Sequence, residues 1–165
     1  LNTTRNVLNA AQQAVFERYI QSGGGFVGIH SAADTEYEWP WYNKLVGAYF
    51  KSHPNNPNVR KAVINVIDKG HPATKDLPQQ WERSDEWYNY KSINPDVKVL
   101  AKLDETSYEG GENGDNHPIS WYHEYDGGRA FYTGLGHIGL IYSDPIFLDH
   151  LYGGIYWAAT GKGIK

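Results

Sequence analysis

The chain contains no cysteine and no methionine. Lacking cysteine, it can form no disulfide, no thiolate nucleophile and no zinc–thiolate centre. The compartment stays open, because periplasmic, secreted and cytoplasmic locations are all compatible with such a chain. There is no run of basic residues and the net charge is −4, which argues against nucleic acid as a partner. No stretch approaches the roughly 20 apolar residues of a membrane span, so no membrane partner is expected. No signal peptide is visible, although a mature chain would have lost one. Leu1 is not an initiator residue, and LNTTRNVLN reads as though a strand had ended just upstream. An N-terminal βα unit is therefore expected to be missing from this sequence.

What is present fits one domain over residues 1–165. At 40% hydrophobic and 21% charged, the chain can bury a core and is too apolar for disorder. Aromatics make up 15%, with 13 Tyr and 6 Trp, and such residues offer flat apolar faces with a polar handle, the surface sugar rings prefer. Most of them are nevertheless expected in the core and on sheets.

Asn9 can cap a helix running to about Ser22, stopped by Gly23, Gly24 and Gly25. Phe26 to Ile29 reads as a short buried strand with His30 at its carboxyl end. A helix, glycines and then a buried strand form half of a parallel βαβ unit, and open α/β sheets bind ligands beyond strand carboxyl ends. An aromatic loop and a short helix from about Pro40 to Gly47 follow. Residues 51–58 form a Pro/Asn loop, Val59 to Asp68 a strand, and Trp81 to Tyr90 an extended segment. Val97, Val99, Ala101 and Leu103 alternate with Lys98 and Lys102 as a half-buried strand. Ile119 to Tyr125 and Arg129 to Thr133 flank Asp126-Gly127-Gly128, a hairpin signal. Asp144 caps a last helix with Pro145 in its first turn, ending near Gly161. The fold class expected is α/β: a mixed, largely parallel sheet flanked by helices, with a C-terminal antiparallel hairpin.

Histidines concentrate where chemistry gathers. His30, His53, His71, His117 and His137 fall in loops or at strand ends, and His53, His71 and His117 precede proline, which holds the preceding residue extended. His71 reads best as a turn histidine, His117 is balanced between turn and site, and His123 and His150 read as structural. His30 is the foremost catalytic candidate, with Asp34 placed to orient it or act as a second acid/base group. Asp85 and Glu86 are further carboxylate candidates. In an extended segment they face opposite ways, so only one is expected to reach the cleft. Gly134-Leu135-Gly136-His137 sets His137 on a flexible loop after a strand. Trp39, Trp41, Tyr42, His53, Tyr88, His117 and Trp121 are candidate substrate-binding residues. No cofactor is evident. A divalent metal is one reading, since His30, His53, His137 and an acid make an imidazole/carboxylate set, though no HxH or HExxH spacing accompanies it.

Several segments together resemble the ThuA-like family: GGGFVGIHSAADTEYEWPWY (23–42), LVGAYFKSHP (45–54), DKGHPATKDLP (68–78), DEWY (85–88), DNHPISWYHEYDGGRAFYTGLGH (115–137) and HLYGGIYWAATG (150–161). The resemblance covers essentially the whole chain. It implies a fold similar to class I glutamine amidotransferases, flavodoxin-like in three layers, and an association with trehalose utilisation and 3-keto sugars. It also implies one more N-terminal βα unit and strand, bordering the cleft. Where amidotransferase relatives carry a nucleophilic cysteine at the strand–turn position, this chain has His30.

The leading expectation is an enzyme acting on a glycoside or keto-sugar through His/carboxylate acid–base chemistry, by hydrolysis, elimination or isomerisation. A non-catalytic carbohydrate-binding or scaffold domain is the alternative. The partner expected is a small carbohydrate; a homo-oligomer, or an N-terminal segment completing the fold, is also compatible. An imidazole cannot replace a thiolate in glutamine hydrolysis without a different mechanism. Purified protein supplied with glutamine is therefore expected to release no ammonia, and steady ammonia release would overturn that reading of His30.

Overall fold

The computed structural model describes residues 1–163. Asn9 caps α1 (Ala10–Gln21) in a capping box, accepting from the Gln12 N–H while the Gln12 side chain accepts from the Asn9 N–H. The glycine triplet then turns the chain into β1 (Gly25–Ile29), and His30–Asp34 form a single 3-10 turn. α2 (Pro40–Val46) starts on proline and ends at Gly47 in the left-handed conformation. There follow β2 (Tyr49–Ser52), β3 (Val59–Val66), β4 (Gln80–Glu86), β5 (Asn89–Lys91), β6 (Lys98–Asp104), β7 (Pro118–Tyr125), β8 (Gly128–Thr133) and α3 (Pro145–Thr160).

The main sheet has the order β1-β8-β7-β6-β3-β4, and β2 and β5 make a separate two-stranded ribbon. The α/β class and the mixed sheet are as the sequence leads one to expect; the balance within the sheet is not. Among the described residues β1–β8 is the one parallel pair, and the other pairs are antiparallel, against the expectation of a largely parallel sheet. The reason lies in the connections. Parallel neighbours need a long crossover, whereas from β3 to β8 the chain reverses through turns and loops that hold no α-helix, as at Asp126-Gly127. The extended segment 81–90 is also broken: Trp87 and Tyr88 leave β4, and β5 pairs with β2 instead.

Period-two alternation decides what each helix meets. Trp121 and Tyr132 are cross-strand partners stacked at 4.3 Å on the face covered by α2, where the Trp121 indole donates to the Val46 carbonyl. Tyr122 and Phe131 are the next pair and face α3, with Trp157 edge-on to Tyr122 at 4.8 Å. α3 approaches closely because a Cβ on Gly154 would stand 2.3 Å from the Phe131 ring. Trp121 is fully buried. Truncating it to alanine would cost about 3–5 kcal/mol, the usual loss for a core aromatic.

Two histidines belong to this α3 side rather than to any cleft. His150 is buried, with Nδ1 2.8 Å from the Ala73 carbonyl and Nε2 3.1 Å from Thr133 Oγ1. A carbonyl only accepts, so the proton sits on Nδ1 and Nε2 accepts from the threonine; the neutral ring is fully satisfied. His71 is buried against Tyr122, its ring centroid 4.3 Å away. Burial lowers the pKa of both histidines to about 4. Because their folded values lie below the ordinary histidine value, the unfolded chain binds more protons between them. Stability is thus full above about pH 6.5 and is lost as pH falls toward 4, by on the order of a few kcal/mol. Denaturant unfolding at pH 7.5, 6, 5 and 4 should show that decline, and a midpoint constant over this range would refute it.

Candidate functional site

Glu86 is the last residue of β4 and its carboxylate is buried. Its Oε2 lies 3.2 Å from His30 Nε2 and 3.3 Å from His137 Nδ1. Its Oε1 accepts from Asn58 Nδ2 at 2.6 Å and stands 3.7 Å from His53 Nε2. Burial pushes the pKa of this carboxyl up, but the His30 ring against it, the Asn58 amide that donates to it and the nearby His137 and His53 rings outweigh it and hold it down at about 2. Glu86 is an ionised carboxylate ringed by three imidazoles.

Each imidazole arrives by a different route. His30 follows β1 and has φ +44°, a left-handed conformation that costs a side-chain-bearing residue on the order of 1–2 kcal/mol. The kink turns its ring over the carboxyl end of the sheet, where Nδ1 meets the Gly134 carbonyl at 2.9 Å beyond β8. Because β1 and β8 are parallel, both strands deliver their following loops to this same end. His53 sits on the loop after β2 with Nδ1 2.8 Å from the Pro54 carbonyl. His137 rides the 134–138 loop, its ring centroid 5.1 Å from that of His30. At Gly136 that loop takes φ +117°, open to glycine alone.

The two adjacent acids part company as strand alternation requires. Glu86 enters the cleft, whereas Asp85 is fully buried beneath the 134–138 loop. Its carboxylate accepts from the N–H groups of Gly136 at 2.8 Å, His137 at 3.1 Å and Ile138 at 3.4 Å. Asp85 therefore holds the backbone that carries His137 and does not face the cleft. Tyr88 closes one wall, its ring 4.2 Å from that of His30 and 4.4 Å from Phe50. Burial, with the Glu86 and Asp34 charges adding to it, raises the pKa of the Tyr88 phenol far above neutrality, so it remains a donor. Asp34 stays at the rim and accepts from the Tyr37 hydroxyl at 2.6 Å.

The remaining aromatic candidates do not line this cleft. Trp41 donates to Asp126 in the β7–β8 turn and stacks on Trp39 at 5.1 Å, at the opposite end of the sheet from His30. Tyr42 and Trp121 are core residues whose polar atoms bond the Ala32 and Val46 carbonyls. Sequence period alone could not place them, since buried and cleft aromatics look alike in a chain this rich in both. His117 is fully buried too. Its Nδ1 pairs with Glu105 at 2.7 Å and its Nε2 with the Tyr88 carbonyl at 2.8 Å, so it braces the segment carrying Tyr88. Asn58 was not legible as a site residue, because nothing local marks an asparagine in a Pro/Asn loop as the partner of a carboxylate 28 positions away. His30, Glu86 and His137 each offer a ligand atom within 4.8 Å of the other two, so they could hold a metal ion.

A sequence model of the ThuA family, described as trehalose utilisation, matches residues 1–158. Among solved structures, a thua-like protein from Bacteroides uniformis is 28% identical with a TM-score of 0.77, the match covering 94% of this chain and 66% of that one. A thua-like protein from Parabacteroides merdae is 25% identical with a TM-score of 0.74, covering 99% and 70%. This chain thus spans about two thirds of the length of these relatives. A β-galactosidase from Bacillus circulans is 14% identical with a TM-score of 0.57 over 94% of this chain and 21% of its own, a likeness of fold alone. No curated protein matches the chain in sequence. With the family pattern extending over nearly all of its length, the chain belongs to the ThuA, or trehalose utilisation, family.

Proposed function

We propose that the cleft around Glu86 handles a sugar of the glycoside or keto-glycoside class by imidazole/carboxylate acid–base chemistry. Family membership supports a role in sugar utilisation. The observation that carries the chemistry is the Glu86 carboxylate, buried yet within 3.2–3.7 Å of three imidazoles, two of which are partly open to solvent.

A keto group on a sugar ring acidifies the neighbouring C–H, and proton removal leaves an enolate whose charge lies on the former carbonyl oxygen. The site offers both groups this step needs. His53 has its Nδ1 proton committed to the Pro54 carbonyl, so in the neutral ring Nε2 carries the lone pair. That atom takes the proton, and Glu86 Oε1 beside it stabilises the imidazolium formed. The Tyr88 O–H donates to the enolate oxygen. If the C–H lies between the carbonyl and the glycosidic carbon, the enolate reforms the C=O and expels the glycosidic oxygen, which leaves with the proton that His53 had taken. If instead the former carbonyl oxygen is protonated to an enediol, the neighbouring hydroxyl gives up its proton and the proton held on His53 goes to the former carbonyl carbon, the carbonyl moves by one position and the result is isomerisation. Asp34, at the rim beside Tyr37, is placed for sugar hydroxyls, which suits substrate binding better than proton transfer at the centre.

The experiment is to incubate the protein with trehalose, 3-ketotrehalose and related keto-glycosides in D2O and follow solvent deuterium at the carbon next to the carbonyl by NMR, together with product formation. H53Q and E86Q should each lower exchange by about 10²-fold or more, the range of a lost general base. Sugar binding with neither exchange nor turnover would instead support a binding domain.

Asp85 acts at one remove. D85N replaces a carboxylate that accepts four N–H groups, those of Glu86, Gly136, His137 and Ile138, by an amide that presents its own donors to them. It should lower unfolding free energy by about 2–3 kcal/mol, the cost of unsatisfied buried groups. It should reduce exchange even though Asp85 touches no substrate. Wild-type stability in D85N would show that the clamp is not what holds the 134–138 loop.

A further inference from the structure

We propose that His30 Nε2, Glu86 Oε2 and His137 Nδ1 bind a divalent first-row transition-metal cation, with zinc the class their chemistry fits. The proposal goes beyond the acid–base reading and rests on it only for the ligand of the open position, a sugar carbonyl or hydroxyl oxygen.

Proton bookkeeping is the first argument. The Nδ1 of His30 faces the Gly134 carbonyl at 2.9 Å, and a carbonyl can only accept, so the proton belongs on Nδ1. In the neutral ring, Nε2 then presents a lone pair to Glu86 Oε2 at 3.2 Å, and Oε2 is itself an acceptor. Two acceptors held face to face repel unless a cation lies between them. An imidazole whose far nitrogen donates to a backbone carbonyl is also the usual supporting arrangement of a metal-ligating histidine, because it fixes tautomer and orientation together.

Distance is the second argument. At metal–ligand distances of about 2.0–2.2 Å, adjacent ligands of a tetrahedral ion stand roughly 3.3–3.5 Å apart. The two contacts to Oε2 measure 3.2 and 3.3 Å, and the three donor atoms lie within 4.8 Å of one another. Small movements would bring all three onto one ion. Two imidazoles and one carboxylate suit zinc and its first-row neighbours rather than magnesium or calcium, which prefer oxygen ligands. Three protein ligands leave a fourth position for a small molecule, as catalytic zinc sites do.

The supporting shell is the third argument. His30 is fixed by the Gly134 carbonyl, the backbone of His137 is held by Asp85, and the other oxygen of Glu86 is taken by Asn58 at 2.6 Å. Such outer partners hold ligands in place before the ion arrives. His53, at 3.7 Å from Oε1 on the far side of the carboxylate, lies outside the trio and keeps its Nε2 for the proton. With one negative charge among three ligands, the bound ion would retain a net positive charge and polarise the sugar oxygen in the open position.

The test strips the protein with a chelator, then titrates it with ZnCl2 by calorimetry and with CoCl2 by visible absorption, without sugar. The expected result is one cation per chain and the visible bands of a low-coordinate cobalt site. E86Q and H137A should each weaken affinity at least tenfold; His137 is partly exposed, so H137A is the variant expected to keep its fold, checked by circular dichroism. E112Q, which removes an exposed partner of Lys51, should leave affinity unchanged. Absence of saturable binding would mean that a doubly protonated His30 satisfies Glu86 instead, and would overturn the proposal. Binding that survives both E86Q and H137A would overturn it as well. A bound cation without sugar chemistry would uphold this site while removing the acid–base reading, and sugar exchange without cation binding would do the reverse.

Discussion

A carboxylate taken out of water must find compensation for its lost hydration, or it will be neutral, or the chain will not fold around it. Around Glu86 the groups that answer this demand are side chains drawn from elsewhere in the sequence: His30 after β1, His53 and the donating Asn58 from the loop between β2 and β3, and His137 from the loop beyond β8. Its burial therefore couples four segments that lie far apart in the sequence. The parallel β1–β8 pair delivers two of those segments to the same end of the sheet, and β4, at the far edge, supplies the acid itself.

The same interaction explains why backbone carbonyls matter here as much as side chains. Gly134 and Pro54 each hold the Nδ1 of one imidazole, so the Nε2 atoms turn toward the carboxylate. Asp85 does the complementary job on donors, gathering three N–H groups of the loop that carries His137. Two adjacent acids thus perform different tasks because strand alternation aims them at opposite sides. The left-handed conformation at His30 is tolerated where the carbonyl of Gly134, the carboxylate of Glu86 and the Tyr132 hydroxyl all fix its position.

Aromatic abundance, by contrast, is mostly architecture. Trp121 on Tyr132 and Trp157 against Tyr122 fill the two faces of the sheet, and the Trp39–Trp41 stack covers the end remote from the histidines. Tyr88, with Phe50 against it, brings its ring to the cleft wall. A composition that invites a sugar-stacking reading is largely absorbed by packing, and the polar cluster is left to carry the chemistry.

Local chemistry made much of this legible from the sequence by itself. The Asn9 cap and its glycine stop, the Pro40 and Pro145 helix starts, the Asp126-Gly127 hairpin and the alternation through residues 97–103 all act over a few residues, and each element formed where those signals lie. The placement of His30 at a strand end and of His137 on a glycine loop was equally local. Tertiary structure alone decided the antiparallel balance of the sheet, because pairing depends on which strands meet after the connections close. It also decided that Glu86 and not Asp85 faces the cleft, that Asn58 completes the carboxylate's partners, and that His117 and Trp121 are interior. Those outcomes rest on contacts between residues tens of positions apart, where burial and a shared carboxylate set the arrangement and no short-range pattern records it.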